Sequence, residues 1–152
     1  MRKTFWPIKT ISFIVTGTPR AKARARVASN GRFYTPKPTA DYEASVRKAA
    51  WVAMLKEKVP PTGAAVHLIV EAVLPIPASW SKSKRTAALL GGIRPKGKPD
   101  LSNIVKAIED GCNGVIYMDD SQICSMTALK RYESDDKPAG AYVTVTWSEP
   151  LD

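Results

Sequence analysis

Asp100-Leu101-Ser102-Asn103-Ile104-Val105-Lys106-Ala107-Ile108-Glu109-Asp110-Gly111-Cys112 is the stretch on which the fold turns. Leu101, Ile104, Val105, Ile108 and Cys112 recur at i, i+3, i+4 and i+7, so the spacing predicts a helix with one apolar face. At about 100° per residue, Asn103, Lys106 and Asp110 share the opposite face, with Ser102 and Glu109 at its flank. Upstream, Val66, Leu68, Val70, Ala72 and Leu74 alternate, which predicts a strand. Downstream come Gly114, a short apolar run, an Asp119-Asp120 turn, a strand near residues 122–132, and a last strand at 140–147. That last strand carries Ala141, Val143, Val145 and Trp147 on one face.

Working toward the N-terminus, Ile11, Phe13 and Val15 mark a first strand at residues 10–17, ended by Gly17-Thr18-Pro19. A Ser29-Asn30-Gly31 turn before Phe33-Tyr34 reads as a small hairpin. Thr39 is expected to cap a helix over residues 40–57, with Tyr42, Val46, Ala49, Ala50, Ala53 and Met54 on its apolar side. Pro60-Pro61-Thr62-Gly63 breaks the chain, and Ser81 caps a short helix ending at Gly91-Gly92. The order β, hairpin, α, β, α, α, β, β predicts an α+β fold: one compact domain over residues 1–152, with a mixed β-sheet and helices packed on one face. Residues 1–9 are expected to form a loose N-terminal segment. Trp51 and Trp147 fall on core faces, His67 reads as structural, and Trp80 as a loop anchor. Lys130 and Arg131 point to opposite faces of their strand, so at most one joins a given surface.

Hydrophobic residues make up 44% and charged residues 24%, which argues against a disordered or fibrous chain. The net charge of +9 is unevenly placed. Met1 to Ala40 holds nine basic residues and no acid, while the rest holds 14 of each sign. A cationic arm on a neutral body suits a polyanion, either nucleic acid or an anionic membrane surface. No run approaches the ~20 apolar residues of a membrane span. The short Ile11–Val15 run, followed by Arg20, Lys22, Arg24 and Arg26, does not suit a secretion signal. Cys112 and Cys124 are expected to be two buried thiols in a reducing cytoplasm.

Chemistry concentrates after residue 99. Between Ala72 and Pro99 there is one-sided accumulation of Lys82, Lys84, Arg85, Arg94, Lys96 and Lys98. Residues 100–120 then hold Asp100, Glu109, Asp110, Asp119 and Asp120 against a single base, Lys106. Carboxylates bordered by cations suit a site that chelates a metal while gripping a phosphate backbone. Each residue also has a plainer use. Asp100 can cap its helix, Asp119-Asp120 can be turn chemistry, and Lys106 can be a solvated side chain.

Asp100-Leu101-Ser102-Asn103-x-x-Lys106-Ala107-x-x-Asp110, then Gly114-Val115-x-x-x-Asp119-Asp120-Ser121-Gln122, resembles the RusA family of Holliday junction resolvases. Gly17-Thr18-Pro19-Arg20-x-Lys22-x-Arg24-x-Arg26 followed by Tyr34-Thr35-Pro36 is similar to the opening of phage and prophage members. The resemblance spans residue 11 to about 147. It implies a homodimeric, cytoplasmic, bacterial or phage-encoded endonuclease that nicks four-way DNA junctions, uses Mg²⁺ (or Mn²⁺), and needs no organic cofactor. It implies catalytic roles for Asp100, Lys106 and Asp120, and metal contacts from Asp100, Asp120, Asp119 and Ser102. DNA phosphates would be held by Arg20, Lys22, Arg24, Arg26, Lys96, Lys98 and Lys106. The family motif reads Asp-x-Asp-Asn-x-x-Lys, so Ser102 stands where the family has a second Asp. A hydroxyl is a neutral, weaker ligand, so Asp119 or a water could compensate, or the chain could bind junctions without cutting them. Glu109 is two helical turns from Ser102, roughly 10 Å, too far to substitute. An RNA-binding basic domain is a third expectation consistent with the charge.

Overall fold

Strands with two-residue alternation are two-sided, and four of them here build one sheet. The computed structural model describes residues 6–149. Its elements are β1 (Ile8–Thr16), β2 (Arg26–Val27), β3 (Phe33–Tyr34), α1 (Lys37–Glu57), β4 (Val66–Leu74), α2 (Lys82–Leu89), α3 (Leu101–Cys112), a single 3₁₀ turn (Asp120–Gln122), β5 (Ile123–Tyr132) and β6 (Gly140–Ser148). The sheet order is β1-β6-β4-β5. β6 runs antiparallel to both neighbours, whereas β4 and β5 are parallel. A parallel pair needs a long crossover, and α2 and α3 lie in it.

Register explains the core. Opposed residues share a face, giving inner rows Ile11–Val145–Leu68–Met126, Phe13–Val143–Val70–Ala128 and Val15–Ala141–Ala72–Lys130. α1 and α3 pack on this side, through Tyr42, Val46, Ala50 and Met54 of α1 and Val105, Ala107, Ile108 and Cys112 of α3. Full burial of each large aliphatic among them contributes about 1.5–3 kcal/mol. The outer face stays partly wet, with Ile14 52% and Leu129 45% exposed.

α1 and α3 approach closely because Gly111 has no side chain. A Cβ there would sit 2.5 Å from Val46 Cγ1 and 3.1 Å from the Glu43 carbonyl oxygen. Gly111→Ala is therefore expected to force the helices apart and cost about 1–3 kcal/mol. Urea unfolding measures this; an unchanged midpoint would contradict the tight crossing.

Several expectations are corrected. α1 begins at Lys37, with Pro36 at its N-cap, so Thr39 lies inside the helix. Its hydroxyl instead accepts from the Ala23 amide at 3.1 Å, tying the basic segment to α1. Trp51 is 56% exposed rather than in the core. It lies five residues past Val46, about 140° around the helix from that residue and outside the stripe of Tyr42, Val46, Ala50 and Met54. Cys112 is buried but Cys124 is exposed. Cys124 sits on β5, an edge strand with a neighbour on one side only. β1 starts two residues early, pairing Ile8 and Lys9 of the expected loose segment with Ser148 and Trp147; residues 1–5 lie outside the described residues. Trp147 is buried at 4%. Ser81 caps α2 by accepting from the Lys84 amide. Trp80 packs edge-on against Tyr132, with Lys84 Nζ 3.9 Å from its ring centre. His67 Nδ1 meets Ser125 Oγ at 2.6 Å across β4 and β5, a structural contact.

Candidate functional site

The polar face of α3 organises the site. Asp100 occupies the N-cap position, yet its side chain makes no capping hydrogen bond. Its carboxylate instead accepts from Lys98 Nζ at 2.9 Å and from Asn103 Nδ2 at 3.5 Å, and is 44% exposed. The plain capping role thus does not use this carboxylate. The loop before it is pinned by Lys130, whose ammonium donates to the carbonyls of Gly97 (2.7 Å) and Pro99 (3.0 Å). Lys130 can do this because it ends an inner row of the sheet. Arg131 points the other way, to Glu71 at 3.3 Å.

Lys106 is the hub. Its ammonium donates to Asp120 Oδ2 at 2.9 Å and lies 3.4 Å from Asp110 and 3.7 Å from Glu109. The hydrogen bond to Asp120, above all, raises its pKa well beyond the usual lysine range, so it is fully charged at neutral pH. Two neighbouring aspartates divide their work. Asp119 caps the 3₁₀ turn by accepting from the Ser121 amide, and the Ser121 hydroxyl first, then that amide, lower its pKa. Asp120 is thereby left to face α3. Gln122 fastens the turn: it accepts from the amides of Met118 (2.8 Å) and Asp119 (3.0 Å) and donates to the carbonyls of Thr62 and Ala64, both 2.9 Å. No motif read from the sequence assigned Gln122 or Lys130 these positioning contacts.

Lys22 behaves differently from the other basic residues of its segment. It donates to Glu43 at 3.0 Å and to Asp110, and its amide donates to the Asn103 carbonyl at 2.9 Å. Burial alone would lower its pKa, but the hydrogen bonds to Asp110 and Glu43 outweigh that and raise it. Lys22 thus docks the segment onto α3 and is engaged by carboxylates. Lys98 and Lys106 also carry carboxylate partners. Arg20, Arg24, Arg26 and Lys96 are exposed; among the described residues no ion pair or side-chain hydrogen bond engages them. Lys22 and Lys106 together face Glu43, Glu109, Asp110 and Asp120. Arg47 adds a third cation, donating to the Asp110 carbonyl at 3.1 Å, so three cations face four carboxylates and a small negative remainder is left. Burial, foremost, raises the pKa of Glu109.

Asp120 meets α3 through Lys106, whereas Asp100 meets Lys98 and Asn103; no hydrogen bond joins the two carboxylates among the described residues. Ser102 is exposed in the first turn of α3. No three acidic, histidine or cysteine side chains converge as a cage among the described residues. Mg²⁺ favours one or two carboxylates completed by water and substrate phosphate, so this donor set fits that ion. An acidic face beside arginines that have no carboxylate partner among the described residues suits a protein that handles phosphodiester backbones.

Comparison with known proteins agrees. The family model described as endodeoxyribonuclease RusA matches residues 16–146, and the chain belongs to this family of Holliday-junction-resolving endonucleases. It is 32% identical over 130 residues to an uncharacterized protein, YqaN, of Bacillus subtilis (strain 168), covering 84% of this chain and 91% of that one. No helix among the described residues is long and apolar enough to cross a membrane.

Proposed function

We propose that this chain is a divalent-metal-dependent endonuclease that resolves four-way DNA junctions, acting in the cytoplasm as a homodimer. The observation that carries the reading is the Lys106–Asp120 contact, which joins two motifs 14 residues apart on one charged face. Asp100 and Asp120 would hold Mg²⁺, which when bound activates a water and polarises the phosphoryl oxygen. Lys106 is charged at neutral pH and stands ready to neutralise charge developing on the phosphate. Arg20, Arg24, Arg26 and Lys96 supply the phosphate grip, and Lys98 joins them once DNA competes for it. Opposed nicks require two sites related by a two-fold axis, which is why a dimer is proposed.

Ser102 favours a second reading, a junction-binding module that does not cut, because a neutral hydroxyl stands where the family motif has a second Asp. A labelled four-way junction incubated with the protein and Mg²⁺ or Mn²⁺ separates them. Paired nicks at symmetric positions support the nuclease. Tight, salt-sensitive junction binding without nicks supports the module, and equal affinity for junction and linear duplex sinks both.

A further inference from the structure

The β2–β3 hairpin exposes large side chains that the fold does not use. Phe33 is 75%, Val27 58% and Tyr34 47% exposed. Each strand has two residues, with Arg26 opposite Tyr34 and Val27 opposite Phe33. Opposed residues share a face of the ribbon, so Arg26 and Tyr34 stand together. Both line an open cleft with Arg20, and Pro99 forms part of the same lining. Pro99 immediately precedes Asp100. The cleft therefore runs from an aromatic ring flanked by two arginines to the threshold of the acidic site.

We propose that this cleft holds a nucleotide unstacked at the DNA branch point, with its base on the Tyr34 ring and its phosphate on Arg20 and Arg26. The inference rests on the branched-DNA reading above and adds how the branch is recognised. In continuous duplex both faces of every base are covered, so a protein ring finds no place to stack. A branch point keeps its base pairs but interrupts the continuous stack, so freeing a base face there costs less than within a duplex arm. An aromatic ring accepts any base, and the guanidinium groups beside it match the backbone charge. The same arginines repel a second copy of this cationic surface, which argues against the cleft being a contact between copies.

The test is equilibrium binding without divalent metal, using a fluorescent four-way junction and a linear duplex of the same sequence and length. Tyr34→Ala is expected to weaken junction binding about tenfold while duplex affinity stays within about twofold. Tyr34→Phe, which keeps the ring, is expected to restore the junction preference. The salt dependence should be unchanged in Tyr34→Ala, whereas Arg26→Ala should reduce its slope by about one. Retained duplex binding reports that the variant is folded. A wild-type junction preference that survives Tyr34→Ala overturns this inference alone, as does equal weakening on both DNAs. Absence of any wild-type preference overturns the branched-DNA reading and the inference with it.

Discussion

Asp120→Asn is expected to reduce nicking of a four-way junction by at least about 10²-fold, while the domain stays folded. The geometry separates these two effects. Asp120 is a half-buried carboxylate whose side chain bonds only Lys106 among the described residues. The turn that presents it is held by others, the Asp119 cap and the four hydrogen bonds of Gln122. Removing its charge therefore spares the scaffold, and stability should move by no more than about 0.5 kcal/mol. Chemistry should suffer twice over. The metal loses one of two carboxylates, and Lys106 keeps only Asp110 and Glu109, which pull it back along α3. Single-turnover cleavage of a labelled junction, with thermal unfolding as the control, measures both. Wild-type nicking by Asp120→Asn would remove this residue from the site.

Ser102→Asp is expected to lower the metal concentration needed for half-maximal nicking by about tenfold or more. Two unit charges 4 Å apart interact by about 4 kcal/mol at an effective dielectric of about 20. Screening at an exposed position reduces that, but tenfold needs only about 1.4 kcal/mol. The substitution should also stabilise the protein slightly. The first turn of α3 holds no acid, and a carboxylate near a helix N-terminus contributes about 0.3–1 kcal/mol. A metal titration of junction cleavage on both proteins decides the matter. Nicking by Ser102→Asp alone makes the present chain a binder. An unchanged metal requirement places residue 102 outside the ligand set.

By its pattern alone the chain declared the apolar faces of β1, β4 and β6, the amphipathic α3, and the residue types of the acidic face, because period and spacing are local properties. Its motifs also declared the family. Partners were another matter. Lys22 reads as one cation among four in its segment, and only the packing of α1 against α3 brings Glu43 and Asp110 to it from 21 and 88 residues away. Asp119 and Asp120 are equivalent as a dipeptide; the 3₁₀ turn makes one a cap and frees the other. The sequence marked a strand near residues 122–132 and put Lys130 and Arg131 on opposite faces, but did not show that β5 lies at the sheet edge, where Cys124 stays exposed. Strand order and helix crossing depend on contacts between distant segments. Those were settled only when Gly111 let two helices close and the parallel β4–β5 pair closed over its crossover.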